Sequence, residues 1–291
     1  MSAQTYRLIR FRGLALAVTL SALLGCGDDS GPMVSDDTHT VTVMTWNVYI
    51  GGNVQTAFTT LDNPLQLPAE VTAFWASVNA SDFPARAQVI AAIIAREQPH
   101  LIGLQEVSRF LTQSPGDFLA GNPQPASDVA LDFLDELLSA LSALDQSYRL
   151  AVAVDNSDVE FISLSAEDIR QIDREVILVR SDVTVVDTQS GRFAQRVTVP
   201  LIGDAEIEIP RGWVMADVVV NDEDIRFVST HLEVSTFHDI QINQAEELSR
   251  MIPRHPVTPS SSATSIPRRY DPFPQPTPRS PTPDTSTAGW N

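Results

Sequence analysis

Hydrophobic and polar positions change their period several times along the chain, and each change predicts an element. Residues 40–49 (TVTVMTWNVY) alternate in the manner of a strand, and Gly51-Gly52-Asn53 supplies a turn signal behind it. Residues 84–98 (PARAQVIAAIIAREQ) carry apolar side chains at helical spacing; Pro84 suits the first turn and Pro99 stops the helix. The short apolar run LIGLQ at 101–105 predicts a buried strand with Glu106 at its carboxyl end. Residues 129–144 (VALDFLDELLSALSAL) predict a second helix, and 241–251 a third. Strands are expected over 148–154, 175–180 and 183–187, and a hairpin pairs 213–220 with 225–230 across Asn221-Asp222-Glu223-Asp224. Interleaved strands and helices without an internal repeat predict an α/β layered fold.

Both ends depart from this pattern. Arg7, Arg10 and Arg12 precede an apolar run at 13–24 that is too short to anchor stably across a bilayer, and Leu23-Leu24-Gly25-Cys26 follows. This resembles a bacterial lipoprotein signal peptide, in which the cysteine becomes the lipidated N-terminus; Leu24 departs from the smaller residue more usual there. Cys26 is the only cysteine, which suits that role and leaves none for a disulfide or a catalytic thiol. On this reading residues 1–25 are a leader and 26–39 a flexible tether. The chain is then held to a membrane of the cell envelope through lipidated Cys26, periplasmic or surface-exposed. An ordinary secretory signal, and a secreted protein, is the alternative. At the other end, ten of the twenty prolines lie between Pro253 and Pro283, so 253–291 reads as a Pro/Ser/Thr-rich tail.

Composition narrows the chemistry. With 291 residues, 43% of them hydrophobic, the chain can form one large domain with a proper core or two small ones, and a disordered chain, a collagen-like repeat or a disulfide scaffold is excluded. All 19 basic residues are arginine, which excludes a Schiff-base or P-loop lysine. The net charge of −18 becomes 16 − 37 = −21 without the leader's three arginines, and it weighs against loose binding to DNA. No GxSxG, HExxH or paired CxxC occurs, so serine hydrolase and zinc peptidase readings lack support.

Three polar signatures sit at predicted strand ends: Thr45-Trp46-Asn47, Leu104-Gln105-Glu106 and Ser229-Thr230-His231-Leu232-Glu233. Each is weak alone. Together an amide, a carboxylate and an imidazole can converge on one rim of a sheet, and an oxygen-rich rim suits Mg²⁺ with water and phosphate oxygens completing its shell. Together with DREVILVRSDV (173–183), RGWVMADVVV (211–220) and NQAEEL (243–248), these segments occur in the order found in the endonuclease/exonuclease/phosphatase family, the metal-dependent phosphodiesterases related to DNase I, which residues 40–252 resemble. The resemblance implies a DNase I-like four-layer sandwich, two packed mixed β-sheets flanked by helices, with its last third missing. It implies metal-dependent hydrolysis of a phosphoester, with Mg²⁺ (or Mn²⁺ or Ca²⁺) as cofactor. Glu106 matches the family's metal-binding glutamate, Asn47 the asparagine beside metal and scissile phosphate, and His231 the histidine that bonds a phosphate oxygen and helps the leaving group depart. Asp173 and Arg174 match a segment that often flanks the site, although a surface ion pair reads equally well, and Asn53 with Tyr49 lines the cleft or shapes its loop. Glu233 is a candidate support for His231, and His100 reads as an exposed loop residue. The substrate type is open, and no specific nucleic-acid or protein partner is expected.

The pattern breaks after Pro256-Val257, where the family continues with an apolar strand ending in Gly-Asp-Phe-Asn. Codons for residues 258–267, read one frame over, can spell Pro-Val-Val-Leu-Gly-Asp-Phe-Asn-Ser, so a frameshift near 257 is expected to have replaced the family's closing segments. Activity of the chain as it stands is then in question, and a non-catalytic envelope lipoprotein or truncated remnant is the alternative.

Overall fold

The structure is a computed structural model of the full chain and describes residues 6–12, 40–54, 63, 65–200 and 206–252. Strand β1 (Tyr6–Arg12) runs antiparallel along the outer edge of β2 (Thr40–Asn47), from Tyr6↔Trp46 to Arg12↔Thr40. These seven residues head the expected leader; in the full chain their backbone closes an edge of β2 that would otherwise present unpaired groups. Among the described residues, helices α1 (Leu67–Ala80) and α2 (Phe83–Glu97) follow β2, and then comes β3 (Leu101–Gln105), parallel to β2. A parallel neighbour requires such a crossover, and its consequence is geometric: the carboxyl ends of β2 and β3 stand side by side, with Asn47 paired to Gln105.

Five more elements complete the larger sheet and its helical cover. β4 (Arg109–Gln113) pairs with β5 (Asp128–Asp132), which leads into α3 (Phe133–Ser142). β6 (Tyr148–Ile162) covers one edge of the long β7 (Asp168–Arg180), whose other edge pairs first with β4 and then with β3. The second sheet has the order β12–β11–β8, built from β8 (Thr184–Arg192), β11 (Gly212–Val220) and β12 (Glu223–Thr230), while β9 (Val197–Pro200) and β10 (Glu206–Ile209) form a ribbon. α4 (His238–Met251) follows β12 and is tied to the 194–195 loop through Gln244 and Glu247.

Two apolar cores hold the layers together. Met44, Trp46, Ile102, Leu104, Val176 and Leu178 on one face of the larger sheet pack against Phe83, Ile90 and Ile94 of α2 and Phe133, Leu137 and Leu141 of α3. The Phe83 and Phe133 rings stack with centroids 3.6 Å apart, which locks the two helices together. The opposite face, with Val41, Val43, Leu101, Ile177 and Val179, packs on Val214, Ala216, Val218 and Val220 of β11. Being covered on both faces explains why LIGLQ reads as a continuous apolar run. The fold is thus mixed α/β, with two packed sheets and helices outside, as expected.

Several boundaries differ from expectation for identifiable reasons. The helix expected over 129–144 divides: residues 128–132 join β4 as a strand, and Asp132 caps α3 by accepting from Leu134 N. Pairing across the sheet outweighs the local helical period there. The hairpin turn is two residues rather than four, because Asn221 and Asp222 both adopt left-handed backbone (φ 51° and 65°), the conformation a tight hairpin favours. Helix α1 was not expected, although Leu67, Val71 and Val78 and a proline in its first turn carry the signal. Most of the expected leader, Cys26 and the tether 26–39, and the tail 253–291 lie outside the described residues.

Candidate active site

Glu106 follows β3 directly and has left-handed backbone, φ 59°. Its carboxylate ties down the loop after β2: Oε1 accepts from Asn47 Nδ2 at 2.7 Å and Oε2 from Ile50 N at 2.7 Å. Asn47 Oδ1 accepts from Tyr49 N at 2.9 Å, and Tyr49 is itself left-handed, φ 65°, and 44% exposed. Two non-glycine residues in this region each cost about 1 kcal/mol or more, a strain that persists only where surrounding bonds over-determine it. Gly51 closes the loop. Its φ is 104°, and a Cβ there would stand 2.6 Å from Ser81 Oγ at the end of α1. Asn53 is exposed beyond it.

The second sheet reaches this corner from the other side. Gln105 Nε2 donates to Ser229 Oγ at 2.8 Å, and a Cβ on Gly103 would lie 2.7 Å from that same hydroxyl. This close approach of β3 and β12 places His231, just past β12, within electrostatic reach of Glu106. Burial lowers the His231 pKa, the Arg211 guanidinium lowers it further, and Glu106, Asp173 and Glu233 oppose the shift. The ring is therefore neutral at pH 7, with one N–H donor and one acceptor nitrogen. Its Nδ1 is buried and has no hydrogen-bond partner among the described residues.

An acidic layer underlies the histidine. Asp173 and Glu175 are two apart on β7 and so share a face, 5% and 0% exposed. Asn156 Nδ2 donates to both, at 3.0 Å to Asp173 Oδ2 and 3.1 Å to Glu175 Oε1, and Ser108 Oγ donates to Asp173 Oδ1 at 3.3 Å. Burial pushes both carboxyl pKa values up, that of Glu175 well above its ordinary value with the Asp173 charge adding to it. Arg211 offsets this negative potential while donating from Nε to Glu233 Oε1 at 2.7 Å. Glu233 N in turn donates to Gln244 Oε1 at 2.9 Å, so α4 helps fix the Arg211–Glu233 pair.

Some expected site residues are placed elsewhere. Asp173 and Arg174 form no surface pair: as strand neighbours they point to opposite faces, and both are buried. Arg174 forms an ion pair with Asp132 and donates from Nε to Val107 O at 2.8 Å, so it braces the segment after Glu106 instead of facing a cleft. His100 is buried, not an exposed loop residue; its Nδ1 accepts from Thr42 N at 3.1 Å. Asn47, Glu106 and His231 do come together, with Asp173 beneath them. Arg86, Arg211, Asn156 and Glu175 were missed. Strand alternation through DREV would have paired Glu175 with Asp173, whereas nothing local marks Asn156 or Arg86.

A hard divalent cation suits the donors at this corner. Both Glu106 oxygens accept one hydrogen bond and retain acceptor capacity, and among the described residues no thiolate or imidazole cluster competes. Among the described residues no group of three or more His, Cys, Asp and Glu side chains forms a metal cage. One carboxylate with most of the shell left to water and phosphate oxygens is the habit of Mg²⁺, whereas structural zinc prefers a closed set of sulfur and imidazole ligands. Asn47 turns its nitrogen toward Glu106, so in this arrangement it orients the carboxylate.

No family model matches the chain, and no curated protein matches it. Solved structures do. The fold neighbours are endonuclease/exonuclease/phosphatase proteins. One such protein, from Leptotrichia buccalis C-1013-b, is 16% identical with a TM-score of 0.38, covering 58% of this chain and 55% of its own. A mannosyl-6-phosphatase from Bacteroides thetaiotaomicron VPI-5482 is 15% identical, TM-score 0.41, covering 72% and 58%. A humanized D. rerio TDP2 is 13% identical, TM-score 0.36, covering 72% and 58%. The chain thus spans a little over half the length of these structures.

Proposed function

We propose that this chain is a divalent-metal-dependent phosphoester hydrolase, anchored in the cell envelope through lipidated Cys26. The observation that carries the reading is Glu106: a carboxylate held by Asn47 Nδ2 and Ile50 N at the carboxyl end of β3, with the half-buried His231 within electrostatic reach. Glu106 would hold Mg²⁺, with Asn47 fixing its rotamer. When bound, the ion neutralises charge on a phosphoryl group and acidifies a water. His231, with the charged form of its ring disfavoured, would offer an N–H hydrogen bond to a phosphate oxygen. Arg211, Asp173 and Glu233 tune that ring.

The test is turnover of bis-p-nitrophenyl phosphate, a generic phosphodiester, by the full chain with Mg²⁺, with EDTA, and after Glu106→Ala. Turnover that needs Mg²⁺ and disappears in the variant supports the reading; full activity in EDTA refutes the metal role. A second reading, a non-catalytic remnant, is favoured by one observation: after Pro256-Val257 the chain reads TPSSSATSIP, where the family it resembles has an apolar strand ending in Gly-Asp-Phe-Asn. Equal residual turnover in wild type and Glu106→Ala would favour it. The coding DNA addresses the tail directly, since codons for 258–267 that cannot spell Gly-Asp-Phe-Asn one frame over defeat the frameshift.

A further inference from the structure

Arg86 is a half-buried cation on the first turns of α2, and its guanidinium grips the loop that carries the candidate site. Nη1 donates to Val48 O at 2.6 Å and to Tyr49 O at 3.1 Å. From the other side Nε donates to Ser81 O at 3.0 Å and Nη2 to Ser81 Oγ at 3.0 Å, and that hydroxyl donates to Val78 O at 2.8 Å. The guanidinium plane also lies over Phe83, 4.9 Å from its centroid, and within 5.6 Å of the Tyr49 ring. These hydrogen bonds go to neutral oxygens, a costly way to keep a desolvated cation unless its shape is what matters.

What the fork holds is specific. Val48 and Tyr49 are flanked by Asn47, whose Nδ2 donates to Glu106 Oε1, and by Ile50, whose N donates to Glu106 Oε2. Both anchors of the Glu106 carboxylate, one a side-chain amide and one a backbone amide, therefore flank two carbonyls that one arginine clamps to α2. The left-handed backbone of Tyr49 needs such an outside restraint. The positive charge also lies within electrostatic reach of Glu106.

We infer that Arg86 is a positioning residue: it acts through the 47–50 loop to set the geometry in which Glu106 receives a divalent cation. The inference rests on the hydrolase reading for its metal, and its backbone part stands apart from it. A residue that orients a ligand from outside changes metal affinity about 10- to 100-fold when removed.

The test uses the full chain with Mn²⁺ alone, read by electron paramagnetic resonance, together with hydrogen exchange at the Ile50 amide. Arg86→Ala is expected to weaken Mn²⁺ binding about 10- to 100-fold and to speed Ile50 exchange. Added guanidinium ion, but not equal NaCl, should recover part of both. Arg86→Lys keeps the stem against Phe83 and the charge but cannot fork across two carbonyls and Ser81. It should retain wild-type circular dichroism and still bind Mn²⁺ more weakly than wild type. Affinity within twofold of wild type in Arg86→Lys and Arg86→Ala overturns the inference. Should wild type bind no Mn²⁺, the hydrolase reading fails on its own account; unchanged Ile50 exchange in the variants then overturns the positioning claim separately.

Discussion

Arg174→Met removes a cation whose side chain is 9% exposed and leaves its partner Asp132, 8% exposed, as a buried charge without a counterion. Breaking a buried pair from one side costs about 3–5 kcal/mol. Asp132 retains one hydrogen bond, from Leu134 N at 2.9 Å, and Met fills much of the arginine stem's volume, so a value near the lower end, about 3 kcal/mol, is expected. The double variant Arg174→Met with Asp132→Asn has no charge left to strand, and its amide oxygen can still cap α3. Its loss should be about 1 kcal/mol, about 2 kcal/mol less than that of Arg174→Met alone. In urea, with a slope of about 3 kcal/mol/M, the single variant's midpoint should fall by about 1 M and the double variant's by about a third of that. Midpoints within 0.2 M of wild type for Arg174→Met, or equal losses in the single and double variants, would refute a buried structural pair. A loss of turnover at an unchanged midpoint would return Arg174 to the substrate.

Three further outcomes follow from the same geometry. The Glu175 carboxyl is raised in the folded chain, so its contribution to stability is full below its ordinary 4.5 and is lost as pH rises through the higher folded value. Glu175→Gln should therefore melt above wild type at pH 8, with the gap closing toward pH 5; a gap independent of pH contradicts the buried charge. Lowered below the ordinary 6.5, the His231 pKa keeps the ring neutral through pH 7, so any His231-dependent turnover should hold steady there and decline only in more acid solution. An acid limb centred above pH 7 would contradict that environment. Gly51→Ala meets both φ 104° and the Ser81 hydroxyl, and should cost at least about 1 kcal/mol by thermal melting, whereas a neutral result would mean the loop is not closed onto α1.

Much of the site was legible because strand ends are legible. The runs before Asn47 and after LIGLQ show where two strands stop, and a helix between them implies parallel neighbours with adjacent ends. Asn47 and Glu106 are thus brought together by topology, 59 residues apart in sequence. The polar layer beneath was less readable. Asn156 belongs to a stretch of β6, DNSD, whose composition suggests a turn; Asp155 and Asp158 pair with β7, and the register shifts between them, at Asn156. Arg174 is charged and next to an Asp, which on a surface would mean an exposed pair; its burial follows from β7 being covered on both faces, a fact of layering that local sequence does not carry. Arg86 lies on the first turns of a helix among ordinary charged positions, and its role depends on where a distant loop folds back.

The proposed hydrolase function requires Glu106 to receive a divalent cation at the end of β3. Mn²⁺ titration of the full chain, followed by electron paramagnetic resonance, tests this most directly against Glu106→Gln, which keeps the size and one acceptor but removes the charge. The expected result is one Mn²⁺ per wild-type chain, displaced by Mg²⁺, and no comparable binding in Glu106→Gln. Equal Mn²⁺ binding by both proteins would contradict it.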